Sequence, residues 1–224
     1  MRKGNIIELS HRMIPGKEHF RLETRTFDVT ELLPEVKHRP DIWYVLSDIT
    51  MSSHVGTHIE FPYHHWKDGA DADGYPLENL IGKAVVLNFS HKKNGEPITL
   101  EELKVHRNRI KKGDIIFIRN DMDKLFRTER WAEQPYLTEE AMDWLISLQP
   151  KVIGTDASGF EVPGTDYQPN HMKMFQHNIA MVESATNLGA IGKERAMVFI
   201  LPLRIEGIDA CPVRIVAFRK GVLR

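Results

Sequence analysis

Apolar and polar residues alternate along most of this chain, and the alternation predicts strands more often than helices. "KAVVLNFS" (83–90) and "GDIIFIRND" (113–121) read as buried strands, the second entered through Gly113. "NIIELS" near the start, "KVIGTDASGF" (151–160), "NIAMVES" (178–184), "AMVFILPLRI" (196–205) and "VRIVAF" (213–218) read the same way. "LETRTFDVTEL" (22–32) predicts a strand, and "DIWYVLSDITMSSHVGTHIEF" (41–61) two more, rich in β-branched and aromatic residues. Helical spacing occurs in three places. Thr99 and Glu102 form a capping box, with Ile98 and Leu103 placed as its hydrophobic staple. Thr138 caps "EEAMDWLISL", whose Ala141, Leu145 and Leu148, with Met142 alongside, share one face ahead of Pro150. "HMKMFQ" (171–176) predicts a short helical turn.

Strands therefore outnumber helices, and the two do not alternate regularly. The pattern predicts a mixed α/β protein: a mixed or antiparallel, barrel-like sheet with a few helices packed outside. Residues 15–40 hold Pro15, Gly16, Pro34 and Pro40, and predict a loop-rich segment wrapped over the rest. At 224 residues and 42% hydrophobic, residues 1–224 read as a single domain. A net charge of -1, with both signs mixed along the chain, points away from nucleic acid and from membrane surfaces. The lone cysteine, Cys211, suits a reducing compartment. With no apolar run of signal-peptide or membrane-spanning length, the expected location is cytoplasmic.

The chemistry concentrates in "HVGTHIEFPYHHW" (54–66), which holds four of the eleven histidines. Gly56 and Pro62 disfavour a helix, and Val55, Thr57 and Ile59 favour a strand. On a strand, His54, His58 and Glu60 are in phase and converge from one face. Two imidazoles and a carboxylate suit a first-row divalent ion, zinc first and manganese as the alternative. His64, beyond Pro62, is either a further ligand or a general acid/base beside the ion. Gly56 permits close approach of the backbone to another segment or to substrate. On a continuing strand His65 points away from His64, into packing or solvent.

Several segments together resemble the cyclase-like metal-dependent hydrolases, which include bacterial kynurenine formamidases and isatin hydrolases. "HVGTHIEFPYHH" resembles their signature H-x-G-T-H-x-D-x-P-x-H. "IIELSHRMIPG", "KKGDIIFIRND", "VIGTDASGFE", "HMKMFQHNIAMVESATNL" and "GIDACPVRIVAF" resemble further family segments, in the family's order. The resemblance implies that His54, His58 and Glu60 bind metal, that His171 and Glu183 complete the site, and that His64 is the catalytic acid/base. It also implies a swivelling β/β/α fold and a homo-oligomer, a homodimer or homotetramer. Two departures stand out. Asn120 and Asp121 replace a Thr-Gly pair, and Glu60 replaces the usual aspartate with an arm one methylene longer, which leaves one or two ions open.

Glu183 is also a candidate ligand on its own terms. It is in phase with Ile179 and Met181 on an apolar strand, where an unpaired charge is costly. His171 alone would read as a surface histidine near a helix start. Phe20, in the loop-rich segment, and Trp66 are the candidate substrate-binding aromatics, although Phe20, Trp66, Tyr44 and Tyr63 all belong in the core by default. Asp156 and Ser158 read first as structural, and Cys211 as a structural thiol. The expected substrate is a small molecule. The leading expectation is hydrolysis of a C–N bond in a small amide. A lactonase or dehydrating cyclase, and a non-catalytic metal- or small-ligand-binding protein, are the two alternatives.

Overall fold

The computed structural model describes residues 6–219. Its strands are β1 (Ile6–Glu8), β2 (Leu22–Asp28), β3 (Val45–Met51), β4 (His58–Glu60), β5 (Ile81–Asn88), β6 (Pro97–Ile98), β7 (Ile115–Arg119), β8 (Tyr136–Leu137), β9 (Val152–Thr155), β10 (Ala180–Glu183), β11 (Ala196–Leu201), β12 (Ala210–Pro212) and β13 (Arg214–Phe218). Its helices are α1 (Val29–Leu32), α2 (Leu100–Lys104), α3 (Glu139–Ser147) and α4 (Pro169–Gln176).

Nine strands form one sheet in the order β1-β13-β11-β5-β7-β9-β10-β4-β12. The β5, β7, β9 and β10 neighbours run parallel, and every other pairing is antiparallel. Only Val213 separates β12, on one edge, from β13, second from the other edge. Consecutive Cα atoms lie about 3.8 Å apart, so the two margins must approach each other and the sheet curls into a barrel-like half-cylinder. A bridge between Ser10 and Ala185 helps join those margins.

Strand alternation divides the core into two layers. Ala84, Val86, Ile115, Phe117, Val152, Ala180 and Val182 face inward into one apolar cluster, which also receives Ile59, Val198, Ile215 and Ala217. Val85, Leu87, Ile116, Ile118, Ile153 and Met181 face outward and pack against α2, α3 and α4. The outer layer explains the helix caps. Thr99 and Glu102 form the expected capping box, and Ile98 and Leu103 are both buried beside it. Thr138 accepts from the Ala141 amide to start α3, which ends at Ser147 with Gln149 left-handed at φ 53°. The inner layer is tight at Gly154, where a Cβ would lie 2.7 Å from the Phe117 ring.

The loop-rich segment contains more regular structure than its prolines suggest. β2 and β3 pair over their full length as a separate two-stranded sheet. The strand expected through residue 32 stops at Asp28, which caps the short α1 through its own capping box with Glu31. β12 and the short β6–β8 pair had no usable periodicity, being two or three residues each.

Candidate metal centre

The centre lies on the outer face of β4 and β10, at the end of the layer covered by α4. Cross-strand register pairs Glu183 with His58 and Met181 with Glu60. With Ile59 facing the inner core, His58 and Glu60 face outward together, and Glu183 follows Met181 onto that face. This is the expected phasing for His58, Glu60 and Glu183. It does not extend to His54, because β4 covers only His58–Glu60. His54 instead arrives through a turn, in which Gly56 has φ 69° and a Cβ would lie 2.8 Å from Met13. The strand also stops before His64. Pro62–His64 form a 3-10 turn, with Pro62 starting it.

That turn corrects the expectation for His65. Its ring stacks on His171 with centroids 5.4 Å apart, and lies 4.7 Å from the ring of His64. A strand would have alternated the two imidazoles, whereas the 3-10 turn puts both beside the site. The turn also presents Tyr63 and Trp66 outward, Trp66 at 47% exposed, and Tyr44 is exposed beside His38, so none of the three is core. Trp66 is not among the residues lining the site's cavity, whereas Phe20 lines it, 53% exposed, with its ring 6.1 Å from that of His54.

Glu60 is the hub, only 3% exposed. Its Oε1 lies 2.9 Å from His54 Nδ1 and 3.4 Å from His58 Nε2, and its Oε2 lies 3.2 Å from His171 Nε2. Glu183 spans the same groups, with Oε2 3.5 Å from His58 Nε2 and Oε1 3.5 Å from His171 Nε2. His171 is the third residue of α4 and is buried, not on the surface. The five candidate ligands thus converge from a turn, two strands and a helix.

Two carboxylates here carried no recognisable signal in the sequence. Asp209, just before β12, accepts on Oδ2 from both His54 Nε2 and His64 Nδ1, each at 2.8 Å, and on Oδ1 from Ser53 Oγ at 2.9 Å. Glu161 accepts from the His171 backbone at 2.8 Å and contacts His171 Nδ1 closely. Each fixes one nitrogen of an imidazole whose other nitrogen faces the site. Only their place inside two quoted motif-like segments could have drawn attention to them. His177 caps α4 outside the site, bonded to the Lys173 carbonyl. Asp156 accepts the Asn120 and Asp121 amides, and Cys211 is buried with its thiol pushed up by that burial.

The electrostatics favour positive charge at the centre. Burial lowers the His54 imidazole, but hydrogen bonds to Asp209 and Glu60 outweigh it and raise it to about 10. Burial also opposes charge on His58 and His171, and contacts with Glu60 and the neighbouring glutamates again raise both. Burial pushes Glu60 up, yet the adjacent His171, His54 and His58 imidazoles hold it well below the carboxylate range. Hydrogen bonds from His54 and His64 hold Asp209 below that range too. Glu183 is raised by burial and by the charge of Glu60.

The donor set fits a divalent cation. Donors about 2.1 Å from a tetrahedral ion stand about 3.4 Å from one another. Four of the carboxylate–imidazole separations, at 3.2 to 3.5 Å, match that spacing better than they match good hydrogen bonds. Moreover, the buried Glu60 Oε2 has no hydrogen bond of acceptable direction. The cavity beside the centre is small, about 40 Å³, and is lined by Phe20, Phe126, Trp131 and Ser158 among others. Its two loops are tied by the buried Glu18, which pairs with Arg127.

The chain is 25% identical over 182 residues to Cyclase-like protein 2 of Oryza sativa subsp. japonica, covering 78% of this chain and 65% of that relative's length. It is 28% identical over 162 residues to a kynurenine formamidase of Erythrobacter litoralis, covering 72% of this chain and 71% of that one. It is 28% identical over 202 residues to an isatin hydrolase of Roseibium aggregatum, covering 78% and 73%. The solved structure of isatin hydrolase A from Ralstonia solanacearum superposes with a TM-score of 0.78 at 20% identity, over 96% of this chain and 92% of that one, and so shares the fold. The Cyclase family, described as "Putative cyclase", matches residues 7–162. With that match covering most of its length, this chain belongs to the Cyclase family, the cyclase-like metal-dependent hydrolases.

Proposed function

We propose that this chain hydrolyses a C–N bond in a small amide, arylformamide- or lactam-like, with a divalent metal held by His54, His58, Glu60, His171 and Glu183. The observation that carries this reading is the convergence of three imidazoles on the two oxygens of Glu60, with His64 and Asp209 alongside. The kynurenine formamidase and isatin hydrolase relatives support it. Zinc is the first candidate and manganese the second, and the split of the Glu60 oxygens between His54/His58 and His171 accommodates one ion or two. When bound, the ion supplies a Lewis acid that polarises a carbonyl oxygen and acidifies water.

The chain's own groups do the remainder. Asp209 holds His64 by Nδ1, which leaves Nε2 as the atom that exchanges protons. His64 Nε2 accepts a proton as water attacks the amide carbon, then returns it to the departing nitrogen. Phe20, Phe126 and Trp131 exclude water from the small cavity and bound the substrate. His64→Ala retains its metal by elemental analysis but loses about 10² or more in turnover of a formylated aniline or an isatin-like lactam. Loss of the metal in that variant would make His64 a ligand instead, and turnover of simple lactones alone would favour the lactonase reading.

The assembly we propose is a homodimer or homotetramer in the cytoplasm. The β2–β3 arm supports this, because Ile49, on one strand, and Trp43, just before it, are exposed. No helix among the described residues is long and apolar enough to cross a membrane.

A further inference from the structure

A cavity of about 650 Å³ shares no lining residue with the cavity beside the metal centre. It lies on the outer face of β5, β11 and β13, the flank of the sheet beyond the helix layer. Lys83, Met197 and Phe218 form one cross-strand row there, and Val85 faces the same way. Val85, Met197 and Phe218 make the floor apolar, with Lys83 at its margin. The rim is cationic: Lys83, Arg109, Lys111, Lys193, Arg195 and Arg219 line the cavity, against Glu194 as its one acid.

For a chain whose acids and bases nearly balance, that is a strong local excess of positive charge. Little of it is neutralised. Among the described residues only Arg195 of these six pairs with a carboxylate, the buried Asp114. Arg109 and Arg219 donate instead to neutral carbonyls, those of Lys193 (3.3 Å) and Ala190 (3.0 Å). The wall is also organised in advance. Asp114, held by the Lys111 amide at 2.8 Å, fixes Arg195 from behind, and Arg195 in turn donates to the Arg109 carbonyl at 3.0 Å. Two loops are thereby laced together with their guanidinium groups at the cavity. Clustered uncompensated cations beside an apolar wall focus field on a small concave volume.

We infer that this cavity is a second, separate binding site for a compact organic anion, carrying phosphate or carboxylate charge on an apolar body. The cationic rim takes the charge, and the Val85–Met197–Phe218 floor takes the ring or chain. A volume of about 650 Å³ suits one such molecule rather than a bare ion.

Isothermal titration of the full, metal-loaded chain tests this with AMP, adenosine and inorganic phosphate as probes. AMP binds at one site per chain, and more weakly as salt rises. Adenosine, which lacks the charge, and phosphate, which lacks the apolar body, each bind at least about tenfold more weakly. The double variant Lys83→Glu with Lys193→Glu weakens AMP by about tenfold or more. Both residues are exposed, so its melting temperature and amide turnover stay unchanged. The inference is overturned if AMP shows no saturable binding, or if the double variant binds it as well as the native chain. Binding of duplex DNA in place of the small anions would also overturn it, since the surface would then serve a macromolecule.

Discussion

At the scale of single residues, the carboxylate of Asp209 does the most with the least signal. One oxygen serves both His54 and His64, so a single side chain sets the orientation of a candidate ligand and of the candidate proton carrier. Asp209→Asn keeps the shape but offers a neutral oxygen in place of a charged one. Turnover falls about 10- to 100-fold, and metal affinity weakens within the same range. Elemental analysis and steady-state kinetics of the variant read both, and unchanged values would make Asp209 a bystander. This contact was not legible in the sequence, because Asp209 is 155 residues from His54 and only the fold brings them together. His58, Glu60 and Glu183 were legible, since local strand phasing alone points them one way.

Among the elements, the stretch 54–66 divides into three conformations: a turn, a three-residue strand and a 3-10 turn. A single strand would have sent His64 and His65 to opposite faces. Pro62 ends the ladder, because it has no amide to donate, and starts a tighter turn that keeps both imidazoles near His171. The β2–β3 arm illustrates a different limit. Its pairing is regular, but β3 leaves Ile49 exposed at 62% and, among the described residues, has no strand neighbour besides β2. An exposed apolar side chain beside an unpaired strand edge favours association. In sedimentation experiments the native chain runs as a dimer or tetramer at micromolar concentration, and Ile49→Glu shifts it toward monomer. A native monomer would remove the arm as an interface.

For the whole molecule, the buried Asp156 links stability to pH. Burial raises its carboxyl to about 7, with the charges of Asp123 and Asp121 adding to it and the Asn120 and Asp121 amides opposing it. Unfolded, it returns to about 3.9. Between about pH 4 and 7 the folded chain therefore holds a proton that the unfolded chain has released, and stability falls as pH rises through that window. Asp156→Asn lacks this dependence. It is less stable than the native chain at pH 4, because the amide replaces one of two acceptors for the Asn120 and Asp121 amides. The gap narrows by about 4 kcal/mol at most as pH approaches 7. Urea denaturation of both proteins across that range measures the gap directly, and a constant gap would mean Asp156 is ionised throughout. His11, lowered to about 4 chiefly by burial, tilts both proteins the other way and cancels in the comparison.

What the sequence by itself determined is local. Alternation assigned the long buried strands and their two faces, Thr99 and Thr138 started the helices, and the spacing in 54–66 marked the metal-binding chemistry. These follow from the two-residue and 3.6-residue repeats, which any short segment carries. The curl of the sheet, the convergence of His171 with Glu60, the carboxylates of Asp209 and Glu161, and the cationic cavity on the far flank were decided by tertiary structure. Each depends on which distant segments the sheet brings side by side, and no local repeat encodes that.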